Sequence, residues 1–167
     1  ARPAVVVETR PKHKVTLNTS PQWSWFTVDG EGTKYQTPGT IELTAGSHTL
    51  TATYNGDAAT LASASAAVVE RINPAITHTT ILSSVNPSNV GQAVRFTAGV
   101  SSPTTTPTGS MTFMDGPLAL ATVSLSGTKV SYSTTALRPG SHNITAVYNG
   151  TTNAAGSASP LFVQIVK

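Results

Sequence analysis

The amino-acid sequence predicts an all-β protein of two tandem β-sandwich domains, 1–74 and 75–167. Three features carry that expectation. Runs rich in β-branched residues alternate apolar and polar positions with a period of two, turn residues interrupt them about every 8–12 residues, and no segment holds the 3.6-residue period of a helix. One strand–turn–strand unit also occurs twice, which places a domain in each half of the chain.

The duplicated unit is Gly46-Ser47-His48-Thr49-Leu50-Thr51-Ala52-Thr53-Tyr54-Asn55-Gly56 against Gly140-Ser141-His142-Asn143-Ile144-Thr145-Ala146-Val147-Tyr148-Asn149-Gly150. The offset is 142 − 48 = 94, and it holds on to Val69 and Val163. Leu50, Ala52 and Tyr54 alternate with threonines, as Ile144, Ala146 and Tyr148 alternate with polar or β-branched neighbours, so each run is a half-buried strand. Both strands end on Asn-Gly, a pair that tolerates positive φ and opens either a tight turn or a longer loop before the last strand. Those last strands are expected at Ala66–Ile72 and Pro160–Val166.

Upstream, Asp29-Gly30 follows Trp25–Val28 and Asp115-Gly116 follows Met111–Met114, each a strand running into a turn dipeptide. Here the offset falls to 115 − 29 = 86, and the first domain is expected to lack about one strand before its Gly-Ser-His. Further strands are expected over Ala4–Thr9, Lys14–Thr19, Thr79–Val85 and Ala93–Val100, separated by Pro11, Pro21, Pro87 and Pro103.

Composition narrows the function classes. Only 10% of the 167 residues are charged, so Ser, Thr, Gly and Ala must cover most of the surface. The net charge of +3 comes from scattered basic residues, with only Arg10, Lys12 and Lys14 close together, which gives no nucleic-acid footprint. The absence of cysteine excludes disulfides, thiolate metal sites and cysteine nucleophiles together. No run is long and apolar enough for a membrane span, and Ala1 is the kind of small residue that follows leader cleavage.

The second half resembles the bacterial Ig-like (Big) repeats of surface and secreted proteins. The resemblance rests on Thr79-Thr80-Ile81-Leu82, Asn86-Pro87-Ser88, Val90-Gly91-Gln92, Val94-Arg95-Phe96-Thr97-Ala98, Pro107–Gly116 and Gly140–Gly150. The first half, through Val15–Pro21, Phe26–Gly30, Thr37–Ile41 and Ala45–His48, is similar to the short PEGA-type β-domain of bacterial envelope proteins with an Ig-like ending. It departs from that pattern at Trp23-Ser24-Trp25. The resemblances imply two tandem immunoglobulin-like β-sandwich domains, the first short and the second complete, serving as a spacer, stalk or assembly module outside the cytoplasm. Neither family brings a catalytic residue, and no cofactor is expected.

Acid–base catalysis needs converging carboxylates, and Glu8, Asp29, Glu31, Glu42, Asp57, Glu70 and Asp115 are dispersed, two of them in turns. His48 and His142 are repeat-equivalent, which favours a structural role at a strand start over a metal role, and no metal-type histidine spacing occurs. An isopeptide crosslink would need a lysine in an apolar strand; Lys12, Lys14, Lys34, Lys129 and Lys167 offer none, Lys129 beside Val130 coming nearest.

What remains are surfaces. Trp23 and Trp25 stand side by side by alternation, facing outward if Phe26 and Val28 face the core, or with Trp25 inside if the Asp-Gly alignment to Met111 and Phe113 sets the register. The terminal run Leu161-Phe162-Val163-Gln164-Ile165-Val166 reads as apolar on both faces, so it calls for cover on both sides. Together with Val5, Val6 and Val7 at the other end, these make the inter-subunit candidates Val5, Val6, Val7, Trp23, Trp25, Leu161, Phe162, Val163 and Ile165. The expected function is a non-enzymatic extracellular subunit that polymerises head to tail by β-strand addition into a bacterial surface filament or pilus-like fibre. The alternative is an adhesin or carbohydrate-binding module using the tryptophans, with glycans or a host surface as partner. Asn18, Asn143 and Asn149 stand in glycosylation-type triplets.

Overall fold

The computed structural model describes residues 13–17, 25–29, 35–36, 39–56 and 58–167. They are all strand, turn and loop, and the chain divides into two compact units, Ala1–Pro74 and Ala75–Lys167.

The second unit is a two-sheet sandwich. One sheet has the order β12-β9-β8, from Lys129–Thr134, Val94–Ser101 and His78–Ser83. The other has the order β11-β10-β13, from Leu118–Ser124, Ser110–Asp115 and Gly140–Tyr148, and both β14 (Ser157–Ala158) and β15 (Phe162–Val166) pair with β13. All pairings between these strands are antiparallel, and a register shift between Phe113 and Met114 interrupts the β10–β11 ladder.

The period of two produces the core directly. Val94, Phe96, Ala98 and Val100 point in from β9, Met111 and Phe113 from β10, and Ile144, Ala146 and Tyr148 from β13; all are at most 2% exposed. Phe113 and Tyr132 rings meet at 5.8 Å in a tilted contact. Each valine, isoleucine, methionine and phenylalanine among these inward side chains contributes about 1.5–3 kcal/mol when removed from water, which is how a sandwich without disulfides holds together. The Tyr148 hydroxyl, at the end of β13, donates to the Thr108 carbonyl at 2.7 Å, so its polar tip is satisfied inside the fold.

A polar seam closes the remaining side. The Thr77 hydroxyl donates to the Ala155 carbonyl at 2.7 Å and, its one proton spent there, accepts from Ser157 Oγ at 2.7 Å, while Thr79 Oγ1 donates to the same Ser157 Oγ at 2.7 Å. Buried hydroxyls paired in this way join β8 to β14 without leaving a polar group unmatched.

The first unit repeats this pairing scheme. Its strands are β1 (His13–Leu17), β2 (Trp25–Val28), β3 (Tyr35–Gln36), β4 (Gly39–Leu43), β5 (Gly46–Tyr54), β6 (Ser63–Ala64) and β7 (Val68–Ile72). β1 pairs β4 as β9 pairs β12, and β3-β2-β5 with β6 and β7 on β5 matches β11-β10-β13 with β14 and β15 on β13. Its core among the described residues is smaller: Val28, Ile41, Leu43 and Leu50, with Ala52 and Ile72 packed against them.

One expectation is corrected here. Two strands, β3 and β4, stand between β2 and β5, as β11 and β12 stand between β10 and β13, so the first unit does not lack a strand before its Gly-Ser-His. Among the described residues β3 has two residues where β11 has seven. The expected last strands are present as β7 and β15; a further short strand precedes each, β14 and β15 pair with opposite ends of β13, and the Asn-Gly pair opens the longer loop between β13 and β14.

Candidate functional site

The feature built twice is a histidine clasp. His142 begins the inward row of β13, and its Nδ1 lies 2.5 Å from Asp115 Oδ2 at the end of β10. Its Nε2 lies 2.8 Å from the Arg138 carbonyl, and the Asn143 N–H donates to Asp115 Oδ1 at 3.1 Å. In the first unit, His48 Nδ1 lies 2.8 Å from Asp29 Oδ2, Nε2 lies 2.8 Å from the Thr44 carbonyl, and the Thr49 N–H donates to Asp29 Oδ1 at 2.7 Å.

A carboxylate and a carbonyl can only accept. Both ring nitrogens therefore donate, and the arrangement selects the imidazolium. The Arg138 carbonyl and then the Asp115 carboxylate raise the pKa of His142 above its usual value of 6.5; the Thr44 carbonyl and then Asp29 do the same for His48. The Thr49 N–H and then His48 hold the Asp29 carboxyl below its usual 3.8.

A His–Asp pair is also the core of a general-base dyad, but that use needs a free ring nitrogen. Here the second nitrogen of each ring is bound to a main-chain carbonyl. The clasp ties the end of one strand to the turn that precedes its neighbour, which is structural chemistry.

The strand register also decides the tryptophan question. Val28 pairs with Leu50 and Phe26 with Ala52, whereas Asp115 pairs with Ile144 and Phe113 with Ala146. The structural offset along this strand is thus 87, one more than the Asp-Gly alignment implies. Trp25 corresponds to Thr112, not to buried Met111, and the alignment that would put Trp25 inside is overturned. With Val28 buried, alternation sends Trp25 and Thr27 to the opposite face, where both are partly covered. Trp25 pairs there with Thr53, and Thr27 with Thr51.

At the C-terminal strand the expectation of two apolar faces is corrected as well. Phe162, Gln164 and Val166 point inward, and Gln164 is fully buried. Its amide accepts from Ser83 Oγ at 2.7 Å and donates to Ser88 Oγ at 3.3 Å and the Ile165 carbonyl at 3.2 Å. Leu161, Val163 and Ile165 point outward, 59%, 43% and 38% exposed. The far edge of β15 is already occupied: Asn86 donates from Nδ2 to the Val163 carbonyl at 2.8 Å and accepts the Ile165 N–H on Oδ1 at 2.9 Å. Ser88 N–H then donates to the Ile165 carbonyl, and Lys167 N–H to the Ser88 carbonyl.

Of the other candidates, Val5, Val6, Val7, Trp23 and Asn18 lie outside the described residues. Asn143 is exposed on β13. Asn149 donates from its side-chain amide to Ser110 Oγ and Thr112 Oγ1. Sequence inspection found the two histidines through the repeat but not the Asp29 and Asp115 partners, whose turn role hid their second use.

Two stacked antiparallel sheets with the pairing β11-β10-β13 over β12-β9-β8 define an immunoglobulin-like module. The model of the bacterial Ig-like domain (group 3) matches residues 80–166, just over half of the chain, and the chain belongs to that family. Among solved structures, a fibronectin(III)-like module of Clostridium thermocellum CbhA is similar at 23% identity and a TM-score of 0.44, covering 54% of this chain and 96% of that one. No curated protein matches the chain. Bacterial Ig-like domains are commonly non-catalytic structural modules at the cell surface or outside the cell. No helix among the described residues is long and apolar enough to cross a membrane.

Proposed function

We propose that the chain is a non-enzymatic, extracellular structural protein whose copies associate, and that the contact runs through the outward face of β15. The observation that carries this is the row Leu161, Val163 and Ile165, exposed aliphatic side chains that alternate along one face of β15 and the residue before it, on a unit that also exposes Ile76, Leu82, Val90 and Leu118. Occupation of the β15 edge by Asn86 and Ser88 favours a face-to-face contact over strand addition at that edge. The donor expected at Val5, Val6 and Val7 would need a different acceptor. The two clasped histidines, with no free ring nitrogen, support a role without catalysis.

Light scattering on the full chain over a range of concentrations tests this. Association that disappears in Val163→Lys/Ile165→Lys, and persists when residues 1–9 are deleted, is the expected result. A monomer at every concentration would sink the proposal, and loss of association only on deletion of residues 1–9 would restore strand addition.

A second reading, glycan binding, has its own support in Trp25, partly covered on a sheet face whose described neighbours are Thr27, Thr51 and Thr53. An indole flanked by hydroxyls suits stacking on a sugar ring. Glycan-array binding abolished by Trp25→Ala is the outcome that supports it.

A further inference from the structure

The repeat ends both long central strands on the same tripeptide, Tyr54-Asn55-Gly56 and Tyr148-Asn149-Gly150. Backbone geometry at the two sites is nearly the same. Gly56 has φ of 77° and Gly150 of 73°, and in both loops main-chain atoms stand where a Cβ would sit, the Thr60 carbonyl at 2.7 Å from it and Gly156 N at 2.9 Å. Neither glycine is replaceable by a larger residue, so the Asn-Gly bond is built into both loops.

The asparagine side chains differ. Asn149 Nδ2 donates to Ser110 Oγ at 2.9 Å and to Thr112 Oγ1 at 3.1 Å, and its Oδ1 lies 3.3 Å from Thr112 Oγ1. Thr112 Oγ1 is itself 2.9 Å from Thr122 Oγ1 on β11, so the amide is anchored to two further strands. Asn55 is exposed, and among the described residues its side chain has no hydrogen-bond partner. The cause lies in the sequence: Trp25 occupies the register position of Thr112, and an indole on that strand brings no hydroxyl to the asparagine.

We propose that Asn55 is a site of spontaneous modification to aspartate and isoaspartate, and that Asn149 is protected from the same reaction by Ser110 and Thr112. The Gly56 main-chain nitrogen loses its proton and attacks Asn55 Cγ. The new N–Cγ bond closes a five-membered succinimide, the Cγ–Nδ2 bond breaks, and Nδ2 leaves as ammonia after taking up a proton from solvent. Water then opens the ring at either carbonyl. Attack at one restores the main chain with an aspartate side chain; attack at the other routes the main chain through the former side chain as isoaspartate. The net change is one water consumed and one ammonia released, with no redox partner. Glycine at the second position leaves its nitrogen unshielded by a Cβ, and reaction needs Cγ brought against that nitrogen. The Asn55 side chain is free to rotate there, whereas Asn149 must first break its hydrogen bonds.

The product places a negative charge at the end of β5. As isoaspartate it also lengthens the main chain where Tyr54 pairs with Ser63 on β6.

The test is a time course on the intact folded protein in heavy-oxygen water at about pH 7.4, read by peptide mass spectrometry at both sites. Two lost hydrogen bonds correspond to a rate ratio of roughly tenfold or more in favour of Asn55. In urea, where both tripeptides are unfolded, the two rates converge. Ser110→Ala/Thr112→Val raises the Asn149 rate toward that of Asn55. Equal rates in the folded protein, a faster Asn149, or a tenfold difference that survives in urea overturns the proposal. An Asn149 rate unchanged in a double variant that still melts cooperatively does so too. Should that variant fail to fold, the folded-against-urea comparison still decides.

Discussion

Asp29 occupies the main-chain position that Gly116 holds in the second unit, yet its carboxylate grips histidine as Asp115 does. The Asp29 N–H donates to the Thr49 carbonyl and the Gly116 N–H to the Asn143 carbonyl, each at 2.8 Å, and the two φ values are 52° and 54°. One unit thus divides between two residues what the other asks of a single aspartate: a left-handed turn and an anion for the clasp. Aspartate is among the few side chains that accept that conformation, which lets the strand slip by one residue without losing the histidine.

This makes Gly116 a clean probe of backbone cost. A Cβ there would meet nothing within 4 Å. Gly116→Ala is therefore expected to destabilise the second unit by about 1–2 kcal/mol through the left-handed conformation alone. Gly116→Asn should cost clearly less. Urea unfolding followed by circular dichroism measures both.

The clasps predict how stability depends on pH. Folding raises the pKa of His48 and His142, because carbonyl and carboxylate acceptors stabilise the imidazolium. The folded state then binds more protons than the unfolded one above pH 6.5, so stability falls with rising pH. The contribution is complete below 6.5 and is lost as pH climbs through the raised folded value. Asp29 acts at the other end: its lowered pKa stabilises above 3.8 and is lost as pH falls through the folded value. Across from His48, Glu70 stands in register on β7; across from His142 the neutral Gln164 takes that place. Thermal melts from about pH 5 to 9 should show declining stability, and His142→Ala should remove the part of the slope that belongs to the second unit. Both tryptophans of the chain lie within residues 1–74, so indole emission reports the first unit and far-ultraviolet dichroism both.

Sequence patterns carried the fold further than the site. The 94-residue repeat and the alternation in Val94–Val100 and Gly140–Tyr148 identify core strands, because one inward face is uniformly apolar. The C-terminal strand misleads for the opposite reason: its inward row includes a glutamine and its outward row is aliphatic, so hydropathy alone inverts the meaning of Leu161, Val163 and Ile165. Trp25 is ambiguous in the sequence because the two aligned Asp-Gly pairs are not in structural register. Cross-strand hydrogen bonding fixes register, and a turn dipeptide does not report it.

Buried Gln164 gives the next expectation. Its amide joins Ser83 on β8 to Ser88 beside β15, and both hydroxyls lose that partner if it is truncated. Gln164→Ala should cost about 2–4 kcal/mol, combining a cavity with unpaired buried groups. Its repeat counterpart Glu70 is only partly buried, and Glu70→Ala should cost visibly less in the first unit. Chemical denaturation of the two variants compares them directly.

Asn86 tests what keeps β15 from recruiting another strand. Its side-chain amide imitates a peptide group, giving its N–H to Val163 and its oxygen to Ile165. Asn86→Ala removes both bonds, and should cost about 1–2 kcal/mol while leaving an aliphatic edge strand partly open, the arrangement that invites intermolecular pairing. Asn86→Asp is the sharper change. It keeps the acceptor for Ile165 but sets a carboxylate against the Val163 carbonyl, so at neutral pH it should be less stable than the alanine variant. Protonation reverses that, since a carboxylic acid donates to the carbonyl as the amide did. The folded state then favours the neutral acid, its pKa lies above the unfolded value, and stability should rise as pH falls through that raised value. Melts of both variants at acid and neutral pH, with light scattering alongside, check this. If edge occupation is what limits association, aggregates should grow in Asn86→Ala at neutral pH and in Asn86→Asp only where its carboxylate is charged.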